Sequence, residues 1–189
     1  MSAAAFHLFD TPVGRCAVVW RGSAVIGCAL PEDSDERMRA WLQKRFRGAA
    51  EQLPSAEAST AAAAVVRLLS GEPEDFSSVE VDLGALGPFE RAVLEATFSI
   101  PMGETRTYGE IAKAVGAPGA SRAVGRALGA NPIPIIVPCH RVLAANGRSG
   151  GFSASGGSST KLKMLEIEGA RRGSEPQLFE RLPWRAKPA

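Results

Sequence analysis

Long apolar runs are missing from this 189-residue chain. A membrane-spanning helix needs about 18 to 20 consecutive apolar residues, so no membrane partner is expected. The start, MSAAAFHLFDTPVGR, lacks the basic opening and apolar core of a secretory signal, which points to a cytoplasmic protein. Cysteine is scarce and odd in number: Cys16, Cys28 and Cys139. That argues against a disulfide-stapled scaffold and suits a reducing compartment. Histidine is scarcer, with only His7 and His140. His7, Cys16 and Cys28 form no CxxC or HxxxH spacing, so no metal is expected, and the two cysteines read as small buried apolar side chains. Tyr108 is the only tyrosine.

What is present suits a globular chain: 45% hydrophobic and 22% charged residues are enough to build a core and solubilise it. The formal net charge of +2 conceals an asymmetry. Residues 88–172 carry 11 Lys/Arg against 6 Asp/Glu, and the remainder carries 11 against 14. A basic part joined to a mildly acidic part suggests that one of them faces a polyanion, although an unevenly charged solvated surface gives the same count.

Residues 5–30 read as three short strands, FHLF, RCAVVW and AVIGCAL, divided by the turn signals Thr11-Pro12-Val13-Gly14 and Arg21-Gly22-Ser23. Residues 34–47 have helical spacing, with Met38, Trp41, Leu42 and Phe46 on one face. A second helix is expected over Ser55–Leu69, stopped by Gly71-Glu72-Pro73, and SVEVDL reads as one more strand. From Gly84 to Ala170 the pattern turns helical. Phe89, Ala92, Val93 and Ala96 line a first helix. Tyr108–Val115 forms a second, with Ile111, Ala112 and Val115 inward. Gly116-Ala117-Pro118-Gly119 makes a turn, Ala120–Leu128 a third helix ended by Gly129 or Asn131, and Leu162–Glu168 a last one. Helix, short Gly-containing turn and short helix have the outline of a helix-turn-helix. The stretch after Arg171 is polar and Pro-containing, with Leu178, Phe179, Leu182 and Trp184 available to pin it to the body.

The chemistry centres on Ile135-Ile136-Val137-Pro138-Cys139-His140-Arg141-Val142. A buried thiol among apolar residues is normally inert. This one has a histidine beside it and a guanidinium two residues on, and both would favour thiolate.

These residues, together with Arg122-Ala123-Val124-Gly125, Asn131-Pro132, Ile100-Pro101-Met102-Gly103-Glu104-Thr105-Arg106-Thr107-Tyr108, Gly156-Gly157 and Lys161, closely resemble the O6-alkylguanine-DNA alkyltransferase family. The close resemblance covers residues 88–170, and the N-terminal part matches in outline. It implies an α+β protein with a small strand-rich N-terminal domain of ribonuclease H-like outline over residues 1–83. A helical winged-helix or helix-turn-helix-like DNA-binding domain follows over 84–172, then a tail over 173–189.

The resemblance also supplies roles. Cys139 is the nucleophile that takes the alkyl group, and its proton leaves through His140, a water and Glu168. Tyr108 donates a proton to the leaving base. Asn131 links the DNA-reading helix to the active-site segment, where a turn residue before Pro132 is the plainer reading. The second helix of the pair enters the minor groove, with Ala120, Ser121, Ala123 and Gly125 small enough to approach it. Arg122 fills the gap left by the extruded base. Val142 offers its backbone carbonyl to the base edge. Two departures stand out. Arg126 occupies a position where many members have a small residue, and the loop Gly150–Gly157 is about two residues longer than in short members, so either Ser153 or Ser155 takes the substrate-contacting position. No cofactor is implied. The expected partner is alkylated double-stranded DNA, acted on by a monomer once per molecule, because a thioether is a stable product. Three other readings remain open: a lesion-sensing protein of the same fold, a cysteine hydrolase using Cys139, His140 and Glu168, and a helix-turn-helix regulator with a spectator cysteine.

Overall fold

The computed structural model describes residues 3–145 and 157–170, apart from the Ser158 side chain. Ser153, Ser155, the rest of the 146–156 loop and the C-terminal residues 171–189 lie outside the described residues.

Three strands open the chain: β1 (Ala5–Thr11), β2 (Gly14–Arg21) and β3 (Ala24–Ala29). They pair antiparallel in sequence order. A two-residue strand the pattern did not predict, β4 (Ala50–Glu51), adds parallel to β1 and completes the order β3-β2-β1-β4. The run Cys16–Trp20 is apolar without alternation because β2 is covered on both faces. Cys16, Val18 and Trp20 join one buried cluster, and Ala17 and Val19 join the other.

Helix α1 (Asp35–Arg45) supplies the second cluster with Met38 and Leu42. Trp41 departs from the expected inward face. It is 39% exposed and meets Phe46 edge to face across 6.4 Å between ring centroids. Helix α2 (Ala56–Leu69) starts at Ser55, whose side chain accepts from Ala58 N. That cap satisfies one of the amides a helix start leaves unpaired. Its alanines sit where the pattern needs small apolar groups: Ala58, Ala61, Ala62, Val65 and Leu69 recur at helical spacing and are buried against the sheet. The strand expected over SVEVDL shrinks to one bridge. Val25 pairs with Val81, its N–H donating to Glu80 O and its carbonyl accepting from Asp82 N. One strand residue is all that the sheet edge offers there.

The remaining elements are α3 (Pro88–Phe98), β5 (Arg106–Thr107), α4 (Tyr108–Ala114), α5 (Ser121–Gly129), β6 (Val142–Leu143) and α6 (Gly157–Ile167). Pro at the first position of α3 lacks the N–H that would go unpaired there anyway. Val93, Leu94 and Thr97 form its buried side, with Phe89, Ala92 and Ala96 only partly covered. Helix α5 ends one residue past Leu128 and is capped by Ala130. Helix α6 begins five residues before the expected Leu162. The main buried cluster runs without a break from Ala5, Cys16 and Cys28 through Val93, Ile111 and Val124 to Ile133–Val137 and Cys139. Among the described residues, no helix is long and apolar enough to cross a membrane.

Candidate active site

Cys139, His140 and Arg141 form one turn of 3-10 helix, and all three are buried. The turn is wedged between α3 and α6. The chain reaches it through a strained segment. Ile135, fully buried and β-branched, has φ +76°, a conformation that normally favours glycine.

Asn131 holds this segment in place. Its Nδ2 donates to Val137 O at 3.0 Å, and its Oδ1 accepts from Ile133 N at 3.0 Å. The Asn131 side chain also acts to lower the Cys139 thiol pKa. The Ile133 bond is that of a turn residue, and the Val137 bond ties this turn to the segment that leads to the thiol.

Glu168 follows α6 and turns its carboxylate into the protein, with the side chain 1% exposed. Oε1 lies 2.7 Å from His140 Nε2. Arg141 grips both oxygens, Nε to Oε2 at 2.8 Å and Nη2 to Oε1 at 2.9 Å, and its Nη1 donates to Ile100 O. Gly103, at φ +81°, lets the 100–105 loop pass this turn; a Cβ there would stand 3.4 Å from Glu168 O. Arg141 does not serve the thiol directly, as the sequence suggested. Its charge is spent on Glu168, and it is not among the groups that shift the Cys139 pKa.

The electrostatics follow from that pairing. Burial alone would raise the Glu168 pKa, but attraction and hydrogen bonds from His140 and Arg141 outweigh it and hold the carboxyl at about 2. Burial pushes the His140 pKa down, with Glu168 opposing. The downward direction prevails physically, because Arg141 already neutralises the carboxylate that would hold a second imidazole proton. A neutral His140 facing an ionised carboxylate must carry its proton on Nε2. Nδ1 is then a free acceptor. It is buried and has no hydrogen-bond partner among the described residues.

Lys161 is the residue whose role the sequence did not reveal. It is 1% exposed, and its Nζ donates to Val142 O at 2.6 Å. The same nitrogen stands 5.7 Å from the centroid of the Tyr108 ring. No carboxylate pairs with it among the described residues. Burial lowers its pKa to about 8, with Cys139 opposing. Burial raises the Cys139 pKa, while the Asn131 side chain and the Lys161 charge pull it down. The only sequence signal for Lys161 was its place in the resemblance. A buried lysine cannot be told from a surface one by spacing alone.

Tyr108 is positioned by a capping box. Thr107 Oγ1 accepts from Glu110 N at 3.1 Å, and Glu110 Oε2 accepts from Thr107 N at 2.6 Å. Parallel pairing of Arg106–Thr107 with Val142–Leu143 ties the start of α4 to the segment after the thiol. The half-buried Tyr108 ring lies between Lys161 and Gly125 of α5, where a Cβ would make ordinary contact at 3.8 Å. Burial raises its pKa, as does Cys139. Helix α5 buries Val124, Ala127 and Leu128. It exposes Arg122 and Arg126 one turn apart, with Ser121, Ala123 and Gly125 half-buried beside them. Cys139, His140, Glu168, Asn131, Tyr108 and Val142 thus converge on one region, and the α5 residues lie on its outer side. Ser153 and Ser155 fall outside the described residues.

Comparison with known proteins identifies the group to which this arrangement belongs. Residues 88–170 match the family model described as 6-O-methylguanine DNA methyltransferase, DNA binding domain. A Mycobacterium tuberculosis protein named methylated-DNA–protein-cysteine methyltransferase is 39% identical over 178 residues, covering 93% of this chain and 98% of its own. The crystal structure of Mycobacterium tuberculosis OGT in complex with DNA superposes with a TM-score of 0.73 at 37% identity, covering 87% of this chain and 92% of that one. An O6-methylguanine-DNA methyltransferase from the archaeon Pyrococcus kodakaraensis gives a TM-score of 0.67 at 31% identity, covering 87% and 99%. The chain belongs to the methylated-DNA–protein-cysteine methyltransferase family.

Proposed function

We propose that the protein repairs O6-alkylguanine in double-stranded DNA by moving the alkyl group to Cys139 Sγ, irreversibly and once per molecule. The observation that carries this reading is the acceptor lone pair of His140 Nδ1, which has no hydrogen-bond partner among the described residues and sits in the turn that bears the thiol. The thiol proton passes to that nitrogen, directly or through a water. The sulfur attacks the alkyl carbon, the carbon–O6 bond breaks, and its electron pair goes to the guanine. Tyr108 supplies a proton to the leaving base. Asn131 and Lys161 stabilise the anion at sulfur, and Val142 presents its carbonyl to the base edge. No cofactor takes part. Incubation with a duplex carrying O6-methylguanine, followed by intact mass and peptide mapping, tests this. One methyl per chain, on Cys139, is expected; repeated turnover would overturn the single-use reading.

A base buried in a duplex must leave the stack to meet such a thiol. In this reading α5 enters the minor groove, where Ser121, Ala123 and Gly125 permit close approach and Arg126 adds a phosphate contact. Arg122, exposed and without a partner among the described residues, occupies the vacated space. Arg122→Ala is expected to slow repair of duplex DNA most, of single strands less, and of free O6-benzylguanine hardly at all. Single-turnover rates on the three substrates check this. Equal loss on duplex and free base would mean damage to the pocket instead.

Lys161→Met is expected to slow transfer on duplex and free base alike. Losing that charge lets burial raise the Cys139 thiol further, so transfer at neutral pH falls about tenfold. Raising the pH restores much of it, because hydroxide then does what the lysine charge did. A rate profile from neutral to alkaline pH checks this, and a parallel loss at every pH would assign Lys161 to positioning Val142 alone.

The same reading takes residues 1–83 as a companion domain of ribonuclease H-like outline and 84–172 as the winged-helix-like DNA-binding part, with 173–189 as a tail. The protein acts as a cytoplasmic monomer on alkylated DNA.

A further inference from the structure

The N-terminal part carries none of the proposed chemistry, yet it touches the turn that joins α5 to the thiol segment. Gly27 of β3 has no side chain where the Phe46 ring lies; a Cβ there would overlap Phe46 Cζ. The ring therefore rests directly on the strand and seats the end of α1 at the sheet edge. The neighbouring Arg45 reaches across, and its Nη2 donates to Ala130 O at 2.8 Å. Ala130 caps α5. The guanidinium thus meets a carbonyl at the negative end of that helix. One residue beyond Gly27, Cys28 N donates to Pro132 O at 3.0 Å. The two contacts bracket Asn131, which is itself bonded to Ile133 N and Val137 O. The N-terminal part holds the turn from outside, and Asn131 holds it from within.

We infer that Arg45 is a positioning residue that sets the seating of α5 and thereby supports repair of duplex DNA. The inference rests on the proposed DNA-facing role of α5. The Cys28 contact is made by main chain and survives side-chain substitution, so Arg45 is the part open to test. Arg45→Met removes the charge and the hydrogen bond and keeps most of the side-chain stem. Arg45→Lys keeps the charge at the helix end.

Transfer rates for both variants and for Arg122→Ala are measured on duplex O6-methylguanine DNA and on free O6-benzylguanine. Arg45→Met is expected to lose about fivefold on the duplex, with the free base unaffected and Arg45→Lys recovering most of the loss. Wild-type duplex repair by Arg45→Met beside an impaired Arg122→Ala would overturn the role of Arg45 and leave the reading of α5 standing. Equal losses by Arg45→Met on both substrates would also overturn it. If neither variant discriminates between the substrates, the reading of α5 falls and the inference with it.

Discussion

Cys139→Ser is expected to abolish methyl transfer from O6-methylguanine DNA, down to the uncatalysed background. Cys16→Ala and Cys28→Ala are expected to keep one methyl per folded chain. The chain has three thiols, all buried, so burial does not distinguish them. Their surroundings do. Burial pushes Cys16 up to about 12, with only a hydrogen bond from Thr11 opposing it. Cys28 is pushed well above its ordinary value by burial and by Cys16. Both lie in the apolar cluster between sheet and α2, with no cation among the causes of their shifts. Cys139 is raised by burial too, but the Asn131 amide and the Lys161 charge act against it. A thiolate is the nucleophile, and a serine hydroxyl in the same place does not ionise near neutral pH. Removing the sulfur of Cys16 or Cys28 leaves a small core cavity, about 1–2 kcal/mol of stability, and the chemistry intact. Peptide mapping after reaction checks all three. Methyl on Cys16 or Cys28 would refute the assignment.

Much of this site was legible in the sequence, and the parts that were not share a cause. The Cys139-His140 dipeptide is a local signal, stated by neighbours in the chain, whereas Tyr108 at a helix start and Asn131 before Pro132 read locally as a packed aromatic and a turn residue and were singled out by the family resemblance. The unbroken apolar run of β2 and the spacing of Ala58, Ala61, Val65 and Leu69 likewise declare burial directly. The fate of Arg141 is not local. It is fixed by Ile100, 41 residues earlier, and Glu168, 27 residues later, so adjacency to Cys139 misled. Lys161 is buried by its approach to Val142 O, 19 residues away, and to Tyr108. The strand expected over SVEVDL had the right composition, but strand formation needs a partner, and the sheet edge supplied only Val25. Trp41 has the spacing of Met38 and Leu42 but sits at the rim of their face, where a large ring stays partly in water.

Glu168→Gln is expected to lose both activity and stability, and the two losses have separable causes. The carboxylate accepts from three donors: Arg141 Nε, Arg141 Nη2 and His140 Nε2. A glutamine amide has one oxygen and one NH2 group, so in either orientation a donor faces a donor. If the amide nitrogen meets His140, the imidazole turns Nε2 into its acceptor and moves its proton to Nδ1. The atom proposed to take the thiol proton is then occupied. Transfer is expected to fall by about 10²–10⁴, on free O6-benzylguanine as much as on duplex DNA, with duplex affinity kept because α5 is untouched. The stability loss comes from Arg141, whose side chain is 4% exposed and would keep its charge without a counter-ion. Breaking such a buried pair costs about 3–5 kcal/mol. The pH dependence has a definite sign. Glu168 is held at about 2 in the folded chain against an ordinary 4.5. Its contribution, about 3 kcal/mol, is complete above the ordinary value and drains away as pH falls toward 2. Thermal unfolding of wild type and Glu168→Gln should therefore differ most at neutral pH and converge under acid. A gap that stays constant from neutral pH to about pH 2 would show that folding does not hold this carboxyl below its ordinary pKa.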